Sequence, residues 1–163
     1  MSLPETAAVL RITRLADYAT LLATALAGTP ETVHSAAALA ERTHLELTTV
    51  SKVLKALAQA GVVEGHRGVN GGYRLAREAS RINLFQIVEA IEGPVGMTEC
   101  SGHHSCCEHE SRCGIAPHWR RVNDIVCDAL KQVTLDAMLE ECPRPALPPP
   151  PAPRRIPVRL ATA

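Results

Sequence analysis

The stretch Ser35-AAALAERTHLELTTVSKVLKALAQAGVVEGHRGVNGGYR-Leu75 decides the fold. Ser35 has the hydroxyl of an N-cap, and Ala36 to Arg42 after it reads as a short helix ending on the polar pair Glu41-Arg42. A four-residue break, Thr43 to Glu46, leads into a third helix running from about Thr48 to Ala60. Thr48 or Thr49 serves as its cap, and Val50, Val53, Leu54 and Leu57 recur at the i, i+3, i+4, i+7 spacing of a buried stripe. Gly61 ends that helix. Val62-Val63 then opens a strand, Glu64 to Gly72 is glycine-rich turn, and Tyr73-Arg74-Leu75 returns as the partner strand. Helix, short turn, helix and β-hairpin in that order predict a mainly α fold, a winged helix-turn-helix whose wing is the small hairpin. The second helix of such a pair enters the DNA major groove and presents its N-terminal side chains to the base edges. Thr48, Thr49, Ser51, Lys52 and Lys55 are those side chains, and Arg67 at the hairpin tip suits a narrow minor groove. The alternative is a core helix with a solvated basic face.

Outward from this unit, Leu15 to Ala27 forms a preceding helix with Leu15, Ala19, Leu22 and Leu26 on one face, stopped by Gly28 and Pro30. Downstream, Leu84 to Glu92 is a short helix with Leu84, Ile87, Val88 and Ile91 inward, closed by Gly93-Pro94. His118 to Val133 is a long helix carrying a stripe of Trp119, Val122, Val126, Ala129 and Val133, and Thr134 caps a last short helix through Leu139. The organisation expected is a flexible leader over 1–9, a DNA-binding domain over 10–92, and a cysteine-rich loop over 93–117. A dimerisation helix with a short terminal helix over 118–142 and a tail over 143–163 complete it. The tail holds eight of the twelve prolines and four arginines with no acid, so it cannot form a packed core; it is either passive or a polyproline ligand of the SH3 kind.

Composition narrows the class. The 163 residues carry 17 basic and 17 acidic side chains, but residues 35–82 hold seven Lys/Arg against four Asp/Glu, and residues 93–142 hold four against eight. The first segment can face a polyanion and the second cannot. Arg11, Arg14 and Asp17 interrupt the N-terminal apolar run, which is too short to span a bilayer at ~20 residues. A cytoplasmic protein without membrane association is expected, a setting in which clustered thiols are metal ligands or redox sensors more often than disulfides.

Such a cluster exists. Four of the six cysteines fall in Cys100-SGHHS-Cys106-Cys107-EHESR-Cys113, together with His103, His104 and His109. The segment is polar and aperiodic, hence a loop, and thiolates in a loop suit iron–sulfur clusters, zinc or copper(I). No phosphate loop, catalytic triad, carboxylate pair or Cys-x-x-Cys accompanies it, which argues against an enzyme. Adjacent cysteines such as Cys106-Cys107 would form only a strained disulfide, so a thiol redox carrier is disfavoured.

Arg11-ITRLADYAT, Thr49-VSKVLKALAQAGVVEGHRGVNGGYRLA-Arg77, Ile87-VEAIEG-Pro94 and the spaced cysteines resemble the winged-helix iron–sulfur regulators typified by IscR and NsrR. The likeness spans about residues 10 to 140. It is strongest to the branch that regulates SUF cluster-assembly operons, in Val50-SKVLKALAQAGVV-Glu64 and Glu89-AIEGPVGMTE-Cys100. The resemblance implies a homodimer joined by the long C-terminal helix, one iron–sulfur cluster (2Fe-2S or 4Fe-4S) per protomer, and binding of a double-stranded DNA operator gated by the cluster. Cys100, Cys106 and Cys113 match its three cysteine ligands, with one extra residue in the second gap; Cys107 offers the alternative register. The histidine used by IscR as fourth ligand is replaced by Ala116, whereas the aspartate available to NsrR from the partner subunit matches Asp17. Asp17 is equally read as an ordinary surface acid, and Cys107 and His118 compete for the position. Cys127 and Cys142 read as structural, and His34, His44 and His66 as surface residues. A repressor of SUF-type genes that senses cluster status or redox state is the function implied. A nitric-oxide-responsive repressor and a zinc-bound regulator of the same fold are the alternatives.

Overall fold

A computed structural model describes residues 12–68, 71–98 and 113–141. The chain forms α1 (Arg14–Ala27), α2 (Ala36–Thr43), α3 (Leu47–Gln59), β1 (Val63–His66), β2 (Gly72–Leu75), a 3-10 turn (Ala79–Arg81), α4 (Leu84–Glu92), α5 (Ala116–Gln132) and α6 (Leu135–Glu141). This is the mainly α, winged-helix architecture expected from the sequence. The two strands pair antiparallel with Val63 opposite Leu75 and Glu64 opposite Arg74.

Local chemistry starts the helices. Thr13 caps α1 by accepting the Ala16 N–H, and Ser35 caps α2 by accepting the Ala38 N–H at 3.1 Å. Asn83 and Gln86 cap α4 reciprocally, each side chain accepting the other's backbone N–H. Around one core, α1 contributes Leu22 and Leu26, α2 Leu39, α3 Val50, Val53, Leu54 and Leu57, and the later segments Ile82, Ile87 and Leu135. Burying each large aliphatic side chain stabilises the fold by roughly 1.5–3 kcal/mol. Leu135 belongs to α6, so the core is closed by the last helix, which packs on α1 and the 3-10 turn. Two backbone hydrogen bonds sew it there, Leu135 N–H to the Ile82 carbonyl at 2.9 Å and Leu84 N–H to the Val133 carbonyl at 2.8 Å.

Four details differ from expectation. Neither Thr48 nor Thr49 caps α3. His44 takes a left-handed conformation (φ 55°) that ends α2, leaving a three-residue turn, and the extended Glu46 precedes the helix without a side-chain cap bond. The hairpin strands reach further toward the tip, because Glu64 and Arg74 pair across them and hold residues otherwise read as turn. α5 starts two residues earlier, at Ala116, since Pro117 falls in its first turn where no N–H is needed. His34, expected at the surface, is only 4% exposed, its ring set between Thr29 and Arg42 and its backbone paired with the wing.

Candidate nucleic-acid interface and metal centre

Because α3 turns Val50, Val53, Leu54 and Leu57 into the core, its opposite face is presented outward. Thr48, Ser51, Lys52 and Lys55 are exposed there, with Thr49 half-buried. The earlier helix start adds Leu47, half exposed in the first turn, which can meet a thymine methyl. Sequence reasoning missed it by starting the helix one residue late. Arg67 is exposed beside Gly68, whose φ of 114° suits glycine; Val69 and Asn70 at the tip lie outside the described residues.

Between α3 and the hairpin runs a cleft lined by Lys55, Gln59, His66, Arg67 and Tyr73. Lys55 and Arg67 are cationic and Gln59 and Tyr73 are hydrogen-bond donors, the side chains that hold a DNA phosphate. Glu64 of β1 is committed: Arg74 hydrogen-bonds to its carboxylate and holds its pKa down, assisted by His66 at 3.3 Å.

The wing is not a free hairpin. His34, before α2, exchanges backbone hydrogen bonds with Tyr73 of β2, His34 N–H to the Tyr73 carbonyl at 2.9 Å and Tyr73 N–H to the His34 carbonyl at 2.8 Å. A Cβ on Gly72 would stand 2.3 Å from that His34 carbonyl oxygen, so the approach requires glycine. The His34 ring is buried between Thr29, whose Oγ1 lies 2.8 Å from Nε2, and Arg42, whose guanidinium lies 3.1 Å from Nδ1. Burial and then the Arg42 charge lower its pKa, so the ring is held neutral. Arg42 also donates to the Ala25 carbonyl at 3.3 Å, joining α2 to α1.

The candidate metal ligands are divided. Cys113 is half-exposed, a free thiol just before α5, and its carbonyl accepts the Ala116 N–H at 3.4 Å. Asp17 is exposed in the first turn of α1 and lines a cleft with Ile12, Arg14, Leu84, Val88 and Met138. Cys100, Cys106 and Cys107 lie outside the described residues, as do His103, His104, His109 and Cys142. His118 is exposed in the first turn of α5, and His44 and His66 are exposed too. Among the described residues no three His, Cys, Asp or Glu side chains come together around one point. The donor chemistry nonetheless fits an iron–sulfur cluster: thiols within fourteen residues, a reduced and accessible Cys113, and an accessible carboxylate on another element. Cys127 has the opposite character. It is 8% exposed, burial pushes its thiol pKa up, and its Sγ accepts from Asn123 Nδ2 at 3.6 Å. Asn123 was not anticipated; its signal was a polar residue seven positions from Ala116 and four from Cys127, all three on the buried face of α5.

The other face of α5 is open. Trp119 is 39%, Val122 40% and Ile125 61% exposed, an apolar strip without a covering element among the described residues. No helix among the described residues is long and apolar enough to cross a membrane.

Comparison with known proteins agrees with this layout. The family profile Rrf2, described as an iron-dependent transcriptional regulator, matches residues 12–141. The transcriptional regulator IscR of Pectobacterium atrosepticum is 31% identical over 101 residues, 62% of this chain and 61% of that protein. The solved structure of T. potens IscR superposes with a TM-score of 0.62 at 26% identity, covering 81% of this chain and 88% of the other. That of CymR, the global cysteine regulator of B. subtilis, does so at 0.62 and 25% identity, covering 82% and 98%. Its relatives are helix-turn-helix transcriptional regulators and not enzymes, and the chain belongs to the Rrf2 family of transcriptional regulators.

Proposed function

We propose that this transcriptional regulator is a cytoplasmic homodimer whose affinity for operator DNA is set by an iron–sulfur cluster, and that it represses SUF-type cluster-assembly genes. The observation that carries the reading is where the cysteine-rich segment is spliced. It joins α4, which packs on α1 and α3 of the DNA-reading unit, to α5, whose outer face carries the apolar strip left exposed among the described residues. Cys100, Cys106 and Cys113 would hold the cluster, with Asp17 of the partner subunit as fourth ligand and Cys107 as the competing one. A bound cluster supplies an oxidisable, releasable centre, most labile at an iron held by carboxylate rather than thiolate. Thr48, Thr49, Ser51 and Lys52 would meet base edges or phosphates, with Lys55 and Arg67 flanking one strand of the backbone. Two recognition helices in one dimer must match half-sites about one helical turn apart, so a change in dimer pose becomes a change in operator affinity.

The test is an anaerobic absorption spectrum with iron and sulfide analysis on the full chain. Near-equal iron and sulfide with visible absorption is expected, together with loss of colour but retention of fold in Cys100→Ala, Cys106→Ala and Cys113→Ala. Asp17→Ala should be coloured but oxygen-labile. A colourless protein that copurifies with zinc would replace the cluster with a tetrahedral zinc site. Bleaching by nitric oxide at concentrations that leave oxygen without effect would assign the nitric-oxide-responsive function instead.

A further inference from the structure

After α4 the chain leaves the DNA-reading core, and at Met97, three residues before Cys100, it is caught. The Met97 backbone N–H donates to Asn123 Oδ1 of α5 at 3.1 Å, across 26 residues of sequence. Asn123 is 6% exposed, and its Nδ2 donates onward to Cys127 Sγ one turn later at 3.6 Å. The amide can face only one way, because Met97 N–H is a donor and must meet the oxygen. Cys127 is a suitable acceptor for the other end, buried on the same face. A buried amide with both ends committed resists reorientation, since turning it would leave a buried polar group unpaired.

We infer that Asn123 is a positioning residue that fastens the entrance of the cysteine-rich segment to the inner face of α5. The inference rests on the function proposed above and assigns how the cluster's presence is felt elsewhere. Displacement of the backbone at Met97 pulls on Asn123, and Asn123 cannot move without α5. Its sequence neighbour Val122 stands on the exposed apolar strip, so movement of α5 about its axis alters the surface offered to a second copy. Sequence-wise, this makes one amide the mechanical link between the sensing segment and the proposed dimer face.

Asn123→Ala and Asn123→Leu in the full chain test it; the leucine variant keeps the branched side-chain shape and removes both the acceptor and the donor. Two measurements are made on each. The first is amide hydrogen exchange at Met97 in cluster-free protein, where protection is expected in the wild type and lost in both variants. The second is the ratio of affinities of the cluster-loaded and chelator-stripped protein for a duplex that the wild type has enriched from a random pool. A wild-type ratio of about 5–150-fold is the usual size of such coupling; the variants should retain colour and fall to within about twofold. Unchanged Met97 protection, or a wild-type ratio in coloured, folded variants, overturns the inference. A colourless wild type would sink the cluster reading alone, and exchange at Met97 would then decide the Asn123 tie by itself.

Discussion

At the scale of single residues, His34 shows how a polar side chain becomes structural. Its ring nitrogens are faced by Thr29 and Arg42, while its backbone is shared with Tyr73. The native pKa lies below the ordinary value of 6.5, from burial first and Arg42 second. The unfolded chain therefore takes up a proton near 6.5 that the folded chain refuses, so stability is complete above that pH and declines as pH falls toward the native value. Thermal unfolding should show the melting temperature dropping between about pH 7 and pH 5, with a shallower drop in His34→Gln; equal slopes would remove His34 as the cause. None of this could be read along the chain. His34 sits next to a helix cap in a polar stretch, and the strand that shares its backbone hydrogen bonds is about forty residues away. The same holds for Gly72: its glycine was visible within a turn-rich tip, but the carbonyl that demands it was not.

At the scale of elements, legibility tracked how local the cause was. The stripe of α3, the cap at Ser35 and the stop at Gly93 depend on neighbours within a turn or two, and all were apparent. The start of α3 depended on His44 entering a left-handed conformation, which no periodicity announces. The capping box of α4 also went unremarked, though Asn83 and Gln86 have the required spacing. Asn83→Ala should lower stability by about 1 kcal/mol, measured by urea unfolding, without altering the fold. The exposed face of α3 carries a separate expectation. Lys52→Ala should weaken DNA binding at low salt and reduce the slope of log affinity against log salt by about 0.9 if it meets a phosphate. An unchanged slope with altered sequence preference would instead place Lys52 at a base edge. The candidate cluster ligands are proposed from residue types and spacing, because ligand chemistry is written in composition. Their geometry is not written there, because Asp17 lies in α1 and Cys113 ahead of α5, far apart in sequence.

At the scale of the molecule, α5 has two characters. Ala116, Asn123 and Cys127 face inward, while Trp119, Val122 and Ile125 face solvent, so part of the stripe read from sequence on this helix, Trp119 and Val122, lies exposed. An apolar strip of this kind marks an interaction surface, and a second copy is its simplest cover. Ile125→Glu should convert a dimer to a monomer in sedimentation, and with it lower operator affinity by at least tenfold while leaving the circular dichroism unchanged. A variant that stays dimeric would move the interface elsewhere. The return of α6 into the core has a consequence for biosynthesis. A ribosome delivers α1 to α4 first, yet the place of Leu135 among them stays empty until the cysteine-rich segment and α5 have followed. A chain interrupted anywhere in between is left with an open core, a ready substrate for proteolysis. Translation through α5 and α6 is thus a condition for maturation of the α1–α4 part that reads DNA.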